Sequence, residues 1–320
     1  MMCSLILREE SWVNEMKGFL GMTRRNMLIF LKDKQSIVFS LLTSIIVLAL
    51  YLLFLKGTFV DAINSGIREF PELTGLISNE DIDMFANFIL LTGIIGSALI
   101  TVPFNCLTTV VKDRENGIDC DILATPVKRW QIILGYYVAA AFSALLLTGT
   151  ILTVGLIVLT LQGNMYMSVG NVLCLYGVVA VGAISATAIF MIVVLFFKST
   201  GASGAFFGIL SAASGFVIGA YIPISQFSEG VQTACNLFPA SHITIMLRNS
   251  ALNGLLKHIG TSAGKEAGEP FVNVLKDLFT FKARLFGHEL GMIQMLVYVL
   301  AVLAVSIVIQ MVLYSKKYKK

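Results

Sequence analysis

The sequence predicts an all-α polytopic membrane protein with six transmembrane helices, an amphipathic helix before the first span, and short amphipathic helices between spans five and six. Hydrophobic residues make up 57% of the chain and charged residues only 13%, whereas soluble domains average about 45–50% and about 25%. The apolar residues also lie in long uninterrupted runs, and a bilayer-spanning helix needs about 20 of them. Because lipid offers the backbone no hydrogen-bonding partner, such runs are expected to be helical.

The predicted spans are the runs that contain no Asp, Glu, Lys or Arg. There are six of them: residues 36–55, 85–111, 132–161, 171–197, 205–222 and 292–313. Short connections join most of them, so residues 1–320 are expected to form a single transmembrane domain.

Residues 11–34, before the first span, place apolar side chains at roughly helical spacing, with charged side chains favouring the opposite side. This pattern is typical of an amphipathic helix that lies in the membrane interface. A helix that packs against its own chain would give the same pattern, so that alternative remains open.

Basic residues predict the orientation. Fifteen of the 23 lysines and arginines lie in the N-terminal stretch, the 112–130 loop, the turn at Lys198 and the tail after Tyr314. Loops rich in Lys and Arg stay in the cytoplasm, so both termini and the 112–130 loop are expected there, and the 223–291 segment outside. We expect a multi-pass protein of a bacterial cell (plasma or inner) membrane, and the charge pattern gives no indication of nucleic-acid binding.

The outer segment, residues 223–291, is expected to hold two helices joined by a linker. Pro239 suits the first turn of the first helix. The composition of residues 260–270 is typical of a flexible linker, and apolar residues from Phe271 to Leu285 favour a second amphipathic helix at the outer interface.

Catalytic or metal-binding motifs are not evident. The three histidines, His242, His258 and His288, are far apart in sequence and are expected at the surface, so we expect a non-enzyme without a metal or a bound cofactor. Transport coupled to protons needs titratable groups inside the membrane, and the six runs carry none. Energy for uphill transport would therefore come from a soluble partner. The neutral polar residues Thr101, Asn105 and Gln294 could line a substrate path, although interhelical packing explains them equally simply.

The 112–130 loop concentrates charge in a chain that otherwise avoids it. Four acids and four bases fall within 18 residues. A short helix is expected from Asp113 to Leu123, with Gly117 allowing close approach of another backbone and Pro126 ending the helix. A solvated loop whose charges only set topology is the alternative.

Two motifs resemble those of the ABC type-2 transporter permeases. The loop reads "KDRENGIDCDILATPVKRWQIILG", which is similar to the family's cytoplasmic loop, with Glu-x-Gly, a short helix ending in Leu-x-x-Pro, and a basic residue before an apolar span. The outer segment reads "NLFPASHITIMLRNSALNG", which resembles the family's Asn-x-x-Pro motif with a later Arg and Gly. Two departures are Ile118, where the family often has Thr, and the long insert at about residues 258–286.

The resemblance implies the transmembrane subunit of an ATP-driven exporter. In this family two permease subunits, identical or different, form the path, each docks a separate ATP-binding subunit that holds ATP and Mg²⁺, and short re-entrant helices lie near the outer face. The residues that would couple to the ATPase are Asp113, Arg114, Glu115, Gly117, Ile122, Leu123 and Pro126. Phe238, Pro239 and Arg248 would belong to an outer gate, with Arg248 near the headgroups or paired with a carboxylate. An ATP-independent channel or a scaffold protein is the alternative function.

Overall fold

The protein is a helical bundle whose long helices alternate in direction. The computed structural model describes residues 2–68, 76–262 and 264–317. Within those residues six helical stretches are long and apolar enough to cross a membrane: Lys34–Arg68, Asn79–Glu115, Arg129–Gln162, Val169–Val194, Thr200–Val217 and Met292–Lys316. The predicted all-α polytopic fold is confirmed.

The alternating helices give the bundle two ends. We call the end that holds the 112–130 loop and the turn at Lys198 the loop face. The opposite end, which holds the 223–291 segment, is the insert face.

The N-terminal helix, α1 (Met2–Lys32), packs along α7 (Arg129–Gln162). Met22 and Phe30 are buried, whereas Met16 and Leu20 are more than half exposed. One apolar face thus packs against the protein's own bundle, as in the alternative that the sequence left open. Another apolar face remains exposed and available to the membrane interface.

The first span is longer than predicted. Helix α2 (Lys34–Leu50) begins at Asp33, whose side chain accepts a hydrogen bond from the Ser36 backbone N–H at 3.1 Å. After one π-helical turn over Tyr51–Leu55 the chain continues as α3 (Lys56–Arg68). The predicted end of the span at residue 55 therefore falls inside a continuous helix, whose α3 part carries polar residues.

The next helix, α4 (Asn79–Cys106), forms the centre of the bundle and is almost entirely buried. It contacts α2, α7, α8 (Val169–Val194) and α9 (Thr200–Val217). The predicted fifth span, 205–222, is shifted: α9 ends at Val217 because Gly219 adopts a positive φ of 67° and turns the chain.

The insert face is built from helices rather than from a linker. Its helices are α10 (Glu229–Asn236), α11 (Pro239–Ser262) and α12 (Lys265–Leu278). Helix α11 therefore covers the first residues of the predicted linker at 260–270, and α12 most of the remainder. A two-stranded antiparallel sheet of β1 (Ala283–Leu285) and β2 (His288–Leu290) then precedes the last span, α13 (Met292–Lys317).

The predicted second amphipathic helix is only partly correct. Phe271 and Leu275 lie on α12 but are buried against the protein itself, and Leu285 lies in a strand. Buried apolar side chains on one face of α12 explain why the segment is ordered against α11.

Candidate functional site

The charged loop forms two short helices at the loop face, not the single helix expected from Asp113 to Leu123. Helix α5 (Thr108–Glu115) directly follows α4, and α6 (Ile118–Ala124) begins after a break at Gly117. Gly117 has a φ of 75°, a left-handed conformation that glycine adopts without the steric cost of a side chain. The break at Gly117 therefore sets the direction of α6.

Four consecutive charged residues of α5, Lys112 to Glu115, each contact a different part of the bundle. We call these four residues the charged hub. Lys112 donates a hydrogen bond of 2.7 Å to Asp33 at the joint between α1 and α2. This hydrogen bond is the main reason why the pKa of Asp33 falls to about 2.

Asp113 is the buried member of the hub. It is 4% exposed and accepts hydrogen bonds of 2.7 and 3.0 Å from the Arg25 guanidinium of α1, as well as one from the Tyr136 hydroxyl of α7. The hydrogen bond from Arg25 to Asp113 raises the pKa of Arg25. A carboxylate that bridges two helices in this way holds α1, α5 and α7 together.

Arg114 and Glu115 reach the next two spans. Arg114 donates hydrogen bonds to the carbonyl oxygens of Leu195, at 3.1 Å, and Phe197, just after α8. The Glu115 carboxylate accepts from the Thr200 backbone N–H at 3.0 Å, at the start of α9, where a negative charge is favoured by the helix dipole. Within this chain these residues bind the protein's own helices, and because Glu115 is also exposed, its contact with a partner stays a prediction.

Helix α6 is the part of the loop that faces solvent. None of its residues is buried; Cys120, Asp121 and the following Pro126 are exposed, while Ile122 and Leu123 are half-buried and pack against the core. The helix is therefore accessible to a partner and contacts the bundle chiefly through α5.

A cavity of about 370 Å³ opens beside the hub. It lies between α2, the end of α4, α5 and the start of α9, and combines the Asp33–Lys112 pair with the aromatic side chains of Phe39 and Phe207. Ser203 also lines it, with a side-chain hydroxyl that is buried and has no hydrogen-bond partner among the described residues. Charged, hydroxyl and aromatic groups around one opening suit an amphiphilic ligand.

The three predicted substrate-path residues do not come together. Asn105 lines the cavity and donates hydrogen bonds to Ser36 O, at 3.2 Å, and Ser40 Oγ, at 3.0 Å. Thr101 is fully buried and donates to the Ser97 carbonyl oxygen of its own helix. Gln294 lies at the opposite face, where its side chain accepts from the Gly291 backbone N–H at the start of α13.

The predicted outer-gate residues lie just before α11 and along it, and Phe238 reaches into the bundle towards the loop-face end of α8. The Phe238 ring packs on Phe190 with 5.8 Å between centroids, and Pro239 begins α11. Arg248 is 1% exposed and donates hydrogen bonds to the carbonyl oxygens of Gly219, at 2.6 Å, and Phe279, at 2.8 Å. The expectation that Arg248 lies at the headgroups or pairs with a carboxylate is wrong, and its role in a gate stays a prediction.

The second motif is explained by packing. The Asn236 side chain donates to the Arg284 carbonyl oxygen at 2.9 Å, and His242, which we expected at the surface, is buried with its Nε2 at 2.6 Å from the Asn236 carbonyl oxygen. A Cβ on Gly254 would lie only 1.7 Å from the Tyr166 carbonyl oxygen. Glycine is therefore required where α11 passes the loop between α7 and α8.

Sequence reasoning missed the hub's partners on other helices. Arg25 was assigned only to the charged side of an interfacial helix, and Tyr136 lies inside an apolar run where nothing distinguishes it from its neighbours. Among the described residues, no group of three or more His, Cys, Asp or Glu side chains could hold a metal ion.

Comparison with known proteins adds one match. The family model described as ABC-2 family transporter protein matches residues 58–314, well over half of the chain. No curated protein matches the chain.

Proposed function

Because this chain belongs to the ABC-2 transporter family and is a membrane permease subunit of an ABC transporter, we propose that it forms the path of an ATP-driven exporter. In this proposal two permease subunits pair, and each docks an ATP-binding subunit at the cytoplasmic loop face through the 112–130 loop. Both chain termini lie on that side, and the cargo leaves at the insert face.

The charged hub is the observation that carries the proposal. A displacement of the exposed α6 is passed to α5, and each residue from Lys112 to Glu115 is bonded to another element: the α1–α2 joint, α1 with α7, the end of α8, and the start of α9. Movement of a docked partner would therefore act on most spans at once. A loop whose charges only set topology would not need a bonding partner for each of these four residues.

The composition of the predicted spans supports an energy source on a separate, soluble subunit. The six predicted spans contain no Asp, Glu, Lys or Arg, and a proton-driven transporter needs titratable groups there. The cavity beside Asn105 would then receive cargo from the loop face, where Lys112 links the cavity wall to the hub. An ATP-independent channel or scaffold would have no use for an ATP-binding subunit docked at α6.

Cys120 provides a direct test of docking. It is the exposed thiol of α6, and the nearby Asp119 raises its pKa, so a maleimide should label it slowly but measurably at pH 8. In inside-out vesicles, adding the ATP-binding subunit encoded beside the permease is expected to slow labelling of Cys120 at least about fivefold, since a docked protein excludes the reagent.

A Lys316→Cys variant supplies the matched control, because Lys316 is also exposed but lies at the end of α13, outside the 112–130 loop. Labelling at this position should not change when the ATP-binding subunit is added. Equal labelling of Cys120 with and without that subunit, or labelling of Cys120 from outside intact cells by an impermeant reagent, would contradict the docking proposal.

Helix α9 offers a surface for pairing two permease subunits. Gly201, Ala205, Gly208 and Ala212 lie at helical spacing, and all four are exposed. Apart from the adjacent residues and backbone of α9 itself, no atom of the described residues lies within 4 Å of a Cβ built on Gly201 or Gly208. Small residues let two membrane helices approach closely and pack backbone to backbone, so this face supports a dimer interface.

Gly208→Leu is expected to weaken self-association at least about tenfold, because an isobutyl group would separate the two helices. Native mass spectrometry of the permease at increasing detergent dilution measures the dimer fraction. Gly177→Leu on α8 is the control, since Gly177 is likewise exposed with open space at its Cβ. If both variants dimerise like the parent, the interface lies elsewhere.

A further inference from the structure

A wedge-shaped cavity of about 530 Å³ separates α11 from α12 at the insert face. At one end the two helices touch, because a Cβ on Gly268 would lie 2.3 Å from the Gly260 carbonyl oxygen. At the other end the Asn249 side chain donates a 2.8 Å hydrogen bond to the Phe281 carbonyl oxygen. The wedge is thus fixed at both ends, and its volume lies within the range of small-molecule sites.

Five polar side chains that line this wedge have no partner among the described residues, whereas Asn249 and Thr261 are hydrogen-bonded. Asn253 and Lys257 project from α11, and Glu269, Asn273 and Lys276 from α12. Among the described residues, none of these five side chains makes a hydrogen bond or an ion pair, although two ammonium groups and a carboxylate line the same cavity. Four of the five are exposed and Lys276 is half-buried, so their polar groups face the opening and are free to contact a ligand that enters from solvent.

The chemistry of the lining specifies the ligand. Lys257 and Lys276 offer ammonium donors from opposite walls, which suits one phosphate or carboxylate group. Asn253, Asn273 and Glu269 offer amide groups and a carboxylate, which donate to and accept from hydroxyl groups. Buried apolar side chains, Leu256, Val272 and Phe281, form the floor and suit the carbon face of such a molecule.

We propose that the wedge between α11 and α12 is a binding site for a small hydroxylated anion, such as a glycerol phosphate or a sugar acid. The same chemistry is present in a free molecule and in the headgroup of a phosphatidylglycerol lipid. This site is separate from the charged hub, and its occupation does not depend on the ATP-binding subunit.

Titration calorimetry on the purified full-length permease tests the proposal with three probes: glycerol 3-phosphate, inorganic phosphate and glycerol. Glycerol 3-phosphate is expected to bind more tightly than the other two, since it alone has both the acid and the hydroxyl groups. Lys257→Gln and Lys276→Gln should each weaken that binding at least about tenfold. Both positions are at least partly exposed, so the variants should fold, which thermal unfolding verifies.

Lys198→Gln is the matched control, because Lys198 is an exposed lysine at the loop face, and it should bind like the parent. Three results would overturn the proposal. Glycerol 3-phosphate could fail to bind the parent, the two cavity variants could bind it as tightly as the parent does, or inorganic phosphate could bind the parent as tightly as glycerol 3-phosphate. Competition of the soluble probe by nanodiscs of phosphatidylglycerol, but not of phosphatidylcholine, would identify the lipid headgroup as the source, and absence of competition would identify the free anion.

Discussion

Asp113→Ala is expected to lower the free energy of unfolding by about 3 kcal/mol and to remove most ATP-driven transport. Removing one member of a buried ion pair costs about 3–5 kcal/mol, because the remaining charge is left without its partner. The low end applies here, since the Arg25 side chain is 32% exposed and water can solvate part of it. The Tyr136 hydroxyl would lose its acceptor as well.

Thermal unfolding in detergent and cargo transport in proteoliposomes measure the two effects. A double-mutant cycle with Arg25→Ala isolates the pair: if Arg25 and Asp113 act together, the double variant should be no less stable than the worse single variant. Asp61→Ala on α3 is the matched control, because Asp61 is exposed, lies away from the 112–130 loop and, among the described residues, makes no hydrogen bond or ion pair. Stability and transport of Asp113→Ala equal to those of Asp61→Ala would show that the hub does not hold the helices together.

The membrane part of the fold could be predicted because the bilayer imposes a simple rule on sequence. A run such as 132–161, about 20 or more apolar residues without a charge, has no alternative to a helix in lipid. Every such run lies largely on a long helix of the bundle. The ends were less predictable, since Gly219 stops α9 through its backbone conformation, while the polar residues of α3 do not stop the first helix.

The site could be located but not constructed from sequence. Density of charge pointed to residues 112–130, yet Asp113 and Arg25 are 88 positions apart, and no local pattern links them. Arg248 shows the same limit at the other face. An arginine in an apolar run predicts a nearby headgroup or carboxylate, but here two carbonyl oxygens freed at a turn and at a helix end accept its hydrogen bonds. Such acceptors exist only once the chain has folded.

Gly117→Val is expected to reduce cargo-stimulated ATP hydrolysis and transport at least about tenfold while leaving the fold intact. The φ of 75° at Gly117 is left-handed. For a residue with a Cβ this backbone conformation costs roughly 1–2 kcal/mol, and more for a branched side chain. About 1.4 kcal/mol corresponds to a tenfold change in population. In most molecules of the variant, α6 would therefore have a different orientation relative to α5. Apart from the chain neighbours of Gly117, no atom of the described residues lies within 4 Å of a Cβ at this position, so packing of the bundle should be unaffected and the unfolding temperature nearly unchanged.

Gly117→Asn separates two explanations for the glycine. Asparagine tolerates the left-handed conformation better than other residues with a side chain, yet it is about as large as valine. If backbone conformation at the α5–α6 break is what matters, Gly117→Asn should hydrolyse ATP and transport cargo nearly like the parent, and this is the result we expect. If the ATP-binding subunit instead approaches the Gly117 backbone closely, both variants should fail, and pull-down of that subunit should fail with them. Normal coupling in Gly117→Val would contradict both explanations and show that the break between α5 and α6 takes no part in coupling.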